Sequence, residues 1–349
     1  MGIADDFVIE NGRVKEYLGS GGAVTIPEGV VEIRGGSFTD CQSLTAITFP
    51  ESLMEISDWA FSGCTNLCEV KVHKDNPRFS AADGILYNKR GNVLLFCPAG
   101  KTGILKIPDC VTAIDAGACT DCDKLTGVLF PEGLKEIDME AFSCCDHIRN
   151  ITFPENVTDI GHNAFSCCNS LTEVVLPEWL LEFDRPFDFC YNLTSVTFPA
   201  GITDIGPLSF EGCDMLLEVK VDENNSLFSA ADGILYDKCE KTLLFCPAGR
   251  SGNLTVPEGV TEIGEMAFAG CTRLVNVVLP DGVLKIGEAA FKMPDFKECA
   301  HLSNLRIPAS VTEIDENAFD GCPSLMIHAP AGSFAERYAE SHGILFEAE

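Results

Sequence analysis

Apolar positions return along this chain at a fixed interval of 23 residues. The stretch from Leu125 to Cys145, LTGVLFPEGLKEIDMEAFSCC, is followed by Ile148 to Cys168, which keeps the Phe-Pro pair, the Ile, the Ala-Phe and the Cys in place. Before each proline two apolar residues alternate around one neighbour: Ile47 and Phe49, Val128 and Phe130, Ile151 and Phe153, Val277 and Leu279. Period two predicts a strand with both side chains on one face. Proline cannot donate to a ladder, so it marks the strand's end. Pro-Glu-Gly at 27–29, 131–133 and 257–259 fits a type I turn with Pro second and Gly fourth.

Further columns follow each proline. An aliphatic stands three places on (Val30, Leu53, Val111, Leu134, Val157) and an Ile three beyond that, with Phe183 the one departure. Next comes a Phe column: Phe38, Phe61, Phe142, Phe165, Phe187, Phe210, Phe268, Phe291 and Phe319, replaced once by Cys119. Last is a Cys column: Cys41, Cys64, Cys122, Cys145, Cys168, Cys190, Cys213, Cys271, Cys299 and Cys322. A period in the twenties predicts a β-rich solenoid of parallel stacked strands, each copy one coil. One coil has too few apolar residues to offset the entropy of ordering it. The copies are therefore expected to share one interior, making 1–349 a single elongated domain of some thirteen coils, ~60 Å long at about 4.8 Å per coil.

The irregular segments have their own pattern. Residues 1–23 alternate around Asn11-Gly12, which predicts a hairpin cap. The repeats occupy 24–330. FSAADGILY occurs at Phe79–Tyr87 and again at Phe228–Tyr236, and LLFCPAG at Leu94–Gly100 and Leu243–Gly249, so the chain is also a duplication at an offset of 149. Each half carries one oversized coil with a hairpin insert, near 77–103 and 226–252, its arms at Ile85–Tyr87 and Val93–Phe96 in the first. Lys292–Glu298 exceeds the period and predicts a protruding loop. In 331–349, Phe334, Ala335, Tyr338 and Ala339 fall on one helical stripe between Ser333 and Gly343, a capping helix followed by a strand at Ile344–Phe346.

Charge narrows the function. The net charge is −29, with 24 Lys and Arg against 53 Asp and Glu, so nucleic acid is not an expected partner. The acids concentrate just after the proline (Glu28, Glu51, Glu132, Glu155) and four places later (Glu32, Glu55, Glu136, Asp159). No run of apolar residues is long enough to span a membrane. The opening residues MGIADDFVIENGRV lack the apolar core of a secretory leader.

Eighteen cysteines raise zinc and disulfides. Cys119-x-x-Cys122 followed by Cys144-Cys145 mimics a zinc ribbon, but most of these belong to the repeat columns, and core packing is the favoured reading. Cys144 and Cys167, one coil apart, could approach disulfide range; thiols in a reducing compartment are preferred, placing the protein in the cytoplasm, or at the surface if a leader is removed. Asp83-Gly84 and Asp232-Gly233 lack EF-hand carboxylate spacing and predict turns. The six histidines share no spacing, and no catalytic pair, glycine-rich nucleotide loop, cofactor site or metal site departs from the repeat.

The pattern at Val256–Leu274, VPEGVTEIGEMAFAGCTRL, resembles the BspA-like leucine-rich repeat, as do the DGILY and CPAG segments and the final GSFAERYAE. The resemblance covers nearly the whole chain. It implies a curved, right-handed leucine-rich-repeat solenoid of a bacterial type common on cell surfaces, with some members binding host matrix proteins. It carries no binding residue over. The expectation is a non-enzymatic protein-binding scaffold. Its candidate surface is the outward residue two places before each proline: Thr48, Lys71, Lys106, Leu129, Thr152, Val175, Thr197, Lys220, Thr255, Val278 and Arg306, a small-residue and slightly basic column.

Overall fold

The computed structural model describes residues 6–206, 208–292 and 301–349. Most of the expected loop at Lys292–Glu298, from residue 293, lies outside them, as does Cys299. The chain divides into two compact units, Met1–Leu171 and Thr172–Glu349. Each is built of parallel-strand coils.

In the first unit, strands Gly22–Thr25, Leu44–Phe49 and Glu69–Val72 pair in parallel, with Val24, Ile47 and Val70 in register. Gly103–Lys106 and Leu125–Leu129 form a second parallel pair. The Ile column builds a second ladder of two-residue strands: Val14, Ile33 and Ile56 stand in register, and so do Leu94, Ile114, Ile137 and Ile160. Most coils therefore carry two strands where the alternation revealed one. Phe7–Glu10 pairs antiparallel with Arg13–Tyr17 across Asn11 and Gly12, both at positive φ (52° and 76°).

The oversized coil is an antiparallel meander, Phe79–Ala82, Ile85–Asn88 and Val93–Phe96, whose last strand rejoins the parallel ladder beside Ala113–Ile114. Asp83 and Gly84 make its first turn at φ 49° and 73°. The second unit repeats this meander at Phe228–Ala231, Ile234–Asp237 and Thr242–Phe245. Its long ladders are Glu173–Val175, Ser195–Phe198 and Glu218–Val221, then Gly252–Thr255, Leu274–Val278, Asn304–Arg306, Met326–Ala329 and Leu345–Ala348. The helix Phe334–His342 is capped by Ser333, whose hydroxyl accepts the Glu336 N–H, and by Gly343 at φ 68°; Ala335, Tyr338 and Ala339 are buried, and Phe334 half so.

The Phe column is the spine of both interiors. Phe142 and Phe165 stack with centroids 5.2 Å apart, and Phe268 and Phe291 at 4.5 Å. Where the oversized coils interrupt the repeat, the Phe of LLFCPAG takes over: Phe96 meets Phe61 at 5.3 Å and Phe245 meets Phe210 at 4.9 Å. The corner thiols do more than fill space. Cys64, Cys145, Cys168 and Cys213 donate to the carbonyls of Phe38, Cys119, Phe142 and Phe187 in the preceding coil, at 3.0 to 3.3 Å.

Two local expectations are corrected. The proline turn sits one residue later than expected: the Val30 N–H donates to the Pro27 carbonyl, and Val283 likewise to Pro280. Pro is thus first and Gly third, and Gly29 at φ 88° and Gly282 at 122° are closer to the type II arrangement, which needs positive φ there. The turn at Pro131 shares the register, with Leu134 donating to Pro131, but Gly133 is not at positive φ. The ladder also lapses at Ile151 and Phe153, where no strand forms. Phe130 and Phe153 stack at 6.0 Å, wider than the 4.7–4.9 Å between paired strands.

A further left-handed column stands immediately before the corner cysteines. Asp40, Asp121, Cys144, Cys167 and Phe189 all have φ between 58° and 60°, a region that costs a residue with a Cβ about 1–2 kcal/mol.

Candidate functional site: the outward strand face

Alternation along the long strands sends every second side chain outward, and the parallel register stacks those side chains into rows. In the first unit Thr25, Thr48 and Lys71 stand in register, and Lys106 lies beside Leu129. In the second, Val175, Thr197 and Lys220 form one row, and Thr255, Val278 and Arg306 another, extended by His328 and Glu347. All the candidate residues are exposed or half-buried. Thr152 is exposed but belongs to no ladder, because the strand expected around it is missing.

The face is less basic than the column alone implies. Lys71 pairs with Glu69 at 2.9 Å, Lys220 with Glu218 at 2.6 Å, and Arg306 with Glu349 at 2.6 Å. Residues two apart on a strand share a face, so the carboxylates that offset Lys71 and Lys220 were set by the same alternation. Glu218 is held below the usual carboxylate range by its hydrogen bond from Lys220. The apolar part of the face stands out more. Leu129 is 55 % exposed and Val175 64 %, and Ile104, also 64 % exposed, lies on the same strand and face as Lys106.

An amide ladder crosses the second unit's face, and it is absent from the expected column. Asn276 Nδ2 donates to Asn253 Oδ1 at 2.5 Å, Asn304 Nδ2 to Asn276 Oδ1 at 2.6 Å, and His328 Nε2 lies 2.9 Å from Asn304 Oδ1. Glu347 lies 3.3 Å from the other ring nitrogen. Nearer that unit's oversized coil, Glu173, Ser195, Leu217, Glu218, Asp232 and Arg250 line an open depression of about 370 Å³.

The zinc-like cysteines of the first unit are buried except for Cys144. Burial pushes the Cys145 thiol well up, which opposes the thiolate that zinc requires. The structure brings together a different metal-ligand group, Glu51, His73 and Asp75, all exposed, with donor atoms within 4.8 Å of one another. No helix among the described residues is long and apolar enough to cross a membrane.

Stacked parallel strands, a buried Phe spine and an outward small-residue face define a leucine-rich-repeat solenoid. The chain belongs to the BspA-type leucine-rich repeat family, whose model matches residues 19–81, 95–217 and 244–329 in six copies. Among solved structures it is similar to a leucine-rich cell surface protein from Faecalibacterium prausnitzii, at 25 % identity and TM-score 0.55, covering 98 % of this chain and 93 % of that one. It is also similar to a leucine-rich repeat protein from Eubacterium ventriosum, at 21 % identity and TM-score 0.51, covering 79 % of this chain and 67 % of that one. No curated protein matches the chain.

Proposed function

We propose that this chain is a non-enzymatic scaffold that binds another protein through its outward strand face. The observation that supports this is the exposure, on ladders fixed in register, of Ile104, Leu129 and Val175 beside small and hydrogen-bonding residues. A surface that exposes apolar side chains among uncharged ones suits protein recognition, where the buried centre of an interface is depleted of charged residues. The test is capture of partners from the source organism with the native chain and with a Lys106→Glu, Leu129→Glu, Val175→Glu variant. Loss of a partner by ten-fold or more is expected; undiminished capture rules this face out.

A second reading, an adhesin at the cell surface that binds host matrix proteins, is favoured by the description of the Faecalibacterium relative as a cell surface protein. Solid-phase binding to matrix proteins tests it, and fractionation of the source cells separates it from the cytoplasmic reading that the many cysteines favour. We extend the solenoid over 1–349 as one domain; native-state hydrogen exchange giving equal opening energies for the amides of Phe142 and Phe268 is expected on that reading.

A further inference from the structure

The left-handed corner column shows where one coil's side chain meets the next. A Cβ on Gly63 would stand 3.1 Å from Cα and 3.2 Å from Cγ of Asp40. A Cβ on Gly212 would stand 2.9 Å from Cα of Phe189. At these two steps of the column a Cβ would run into the residue of the coil before, and glycine relieves the collision. Cys144 and Cys167 occupy the same column in successive coils with no glycine between them. Here two sulfur-bearing side chains stand in successive coils, and the Cys167 thiol neighbours that of Cys144.

Their surroundings fix the approach. The Cys144 N–H donates to the Ser166 carbonyl at 2.8 Å, which locks the two coils in register one residue before Cys167. The Phe142 N–H donates likewise to the Ala164 carbonyl at 2.7 Å, so backbone hydrogen bonds join the two coils at this corner. A spacing of about 4.8 Å for chains so paired suits the roughly 4.4–6.8 Å Cα span of a disulfide. Both residues are free thiols, and both are half-buried. Each Sγ lies beside the hydroxyl of the preceding serine, at 3.7 Å for Ser143 and 3.6 Å for Ser166. Burial pushes the Cys144 thiol up, the Ser143 hydroxyl opposes this, and the neighbouring Cys167 adds to the rise.

We propose that Cys144 and Cys167 are a redox pair that closes into a disulfide between successive coils on meeting a low-molecular-weight disulfide. In the first step one cysteine gives its proton to solvent and its thiolate attacks a sulfur of the reagent. The reagent's S–S bond breaks, and one reagent thiolate leaves and takes up a proton. The second cysteine, likewise deprotonated, attacks the protein sulfur of the mixed disulfide, forms the Sγ–Sγ bond and expels the other reagent thiolate. Two protein thiols are oxidised by two electrons, and one small disulfide is reduced to two thiols. Cys68, Cys110 and Cys239 are exposed and have no cysteine beside them in their column, so they stop at the mixed disulfide.

The test treats the folded full chain with oxidised glutathione, blocks remaining thiols, digests with trypsin and maps peptides by mass spectrometry without reduction. Arg149 separates the two cysteines into different peptides, so the closed pair appears as a cross-link. The expected result is a cross-link about ten-fold more abundant than either singly glutathionylated peptide. It should be lost in C144S and C167S, each of which leaves a glutathione adduct on the surviving cysteine. Oxidation should also raise the urea midpoint of the native chain and leave that of C144S unchanged. Separate adducts on Cys144 and Cys167, thiols still free after Cys68, Cys110 and Cys239 have reacted, or a cross-link that persists in C144S would each overturn the proposal.

Discussion

The side-chain amide of Asn76 donates to the carbonyl oxygen of Leu53 at 2.9 Å, and to that of Pro50 at 2.8 Å, closing the proline turn of the preceding coil. Its Oδ1 accepts the N–H groups of Arg78 and Phe79 at 2.9 and 2.8 Å. One buried side chain thus joins a regular coil to the first strand of the meander. Asn225 does the same in the second unit, with Ile202, Pro199, Leu227 and Phe228. Replacing Asn76 by Ala leaves buried carbonyls and amides without partners, each costing about 1–3 kcal/mol. A loss of roughly 2–4 kcal/mol in urea unfolding is expected; a loss within error would show that the amide is dispensable.

Gly63→Ala places a methyl against Asp40 in a backbone at φ 72°. Strain and collision together should exceed the ~1–2 kcal/mol of left-handed backbone alone. Adding Asp40→Gly removes the carboxylate that collides, so the double variant should recover part of the loss. Thermal unfolding of the two single variants and the double variant measures this, and strict additivity would refute the contact.

Cys145→Ser keeps a donor for the Cys119 carbonyl, whereas Cys145→Ala removes it. Ala is expected to be the less stable of the two by about 1 kcal/mol. The opposite order in urea midpoints would make the thiol column a matter of volume alone.

Acid groups stacked coil on coil give the stability a pH dependence. Burial and then Asp123 push the Asp121 carboxyl up, and burial and then Asp138 and Asp159 push up Glu136. A carboxyl raised in the folded state binds more protons folded than unfolded. Its contribution is fully present below the unfolded value, 3.8 for Asp121 and 4.5 for Glu136, and is lost as pH rises through the raised folded values. Asp121→Asn, which tolerates the left-handed backbone, should therefore stabilise the protein at pH 7 and match the native chain near pH 3 when melting is followed across that range.

Features that recur as letters were legible in advance. The Phe spine, the inward Ile, the turn at Asp83-Gly84 and the helix stripe through Tyr338 each depend on side-chain type at a fixed spacing. Backbone conformation was not legible in the same way. The left-handed corner is held by Asp40, Gly63, Cys144 and Phe189, which share no chemistry. Pro-Glu-Gly fits two turn registers, and only the Val30 hydrogen bond chooses between them. On the candidate face, exposure followed from alternation. The neutralising Glu69 and Glu218 lay two places away and needed the register to be seen. The amide ladder was hidden because its members are 23 and then 28 residues apart, at Asn253, Asn276 and Asn304.

The thiol bonds of the corner have a consequence for how such a chain changes length. Among the described residues, most corner cysteines bring their own donor and use an acceptor of the coil before, as Cys168 does with Phe142 and Cys145 with Cys119, whereas Cys41 turns to Ser43. Excising one whole copy would seat the next donor on an equivalent acceptor and orphan neither. Gain and loss of material in whole-coil quanta is therefore nearly neutral for this corner, and Cys322, which reaches Phe291 across 31 residues where Cys168 reaches Phe142 across 26, shows that extra length within a coil is accommodated as well.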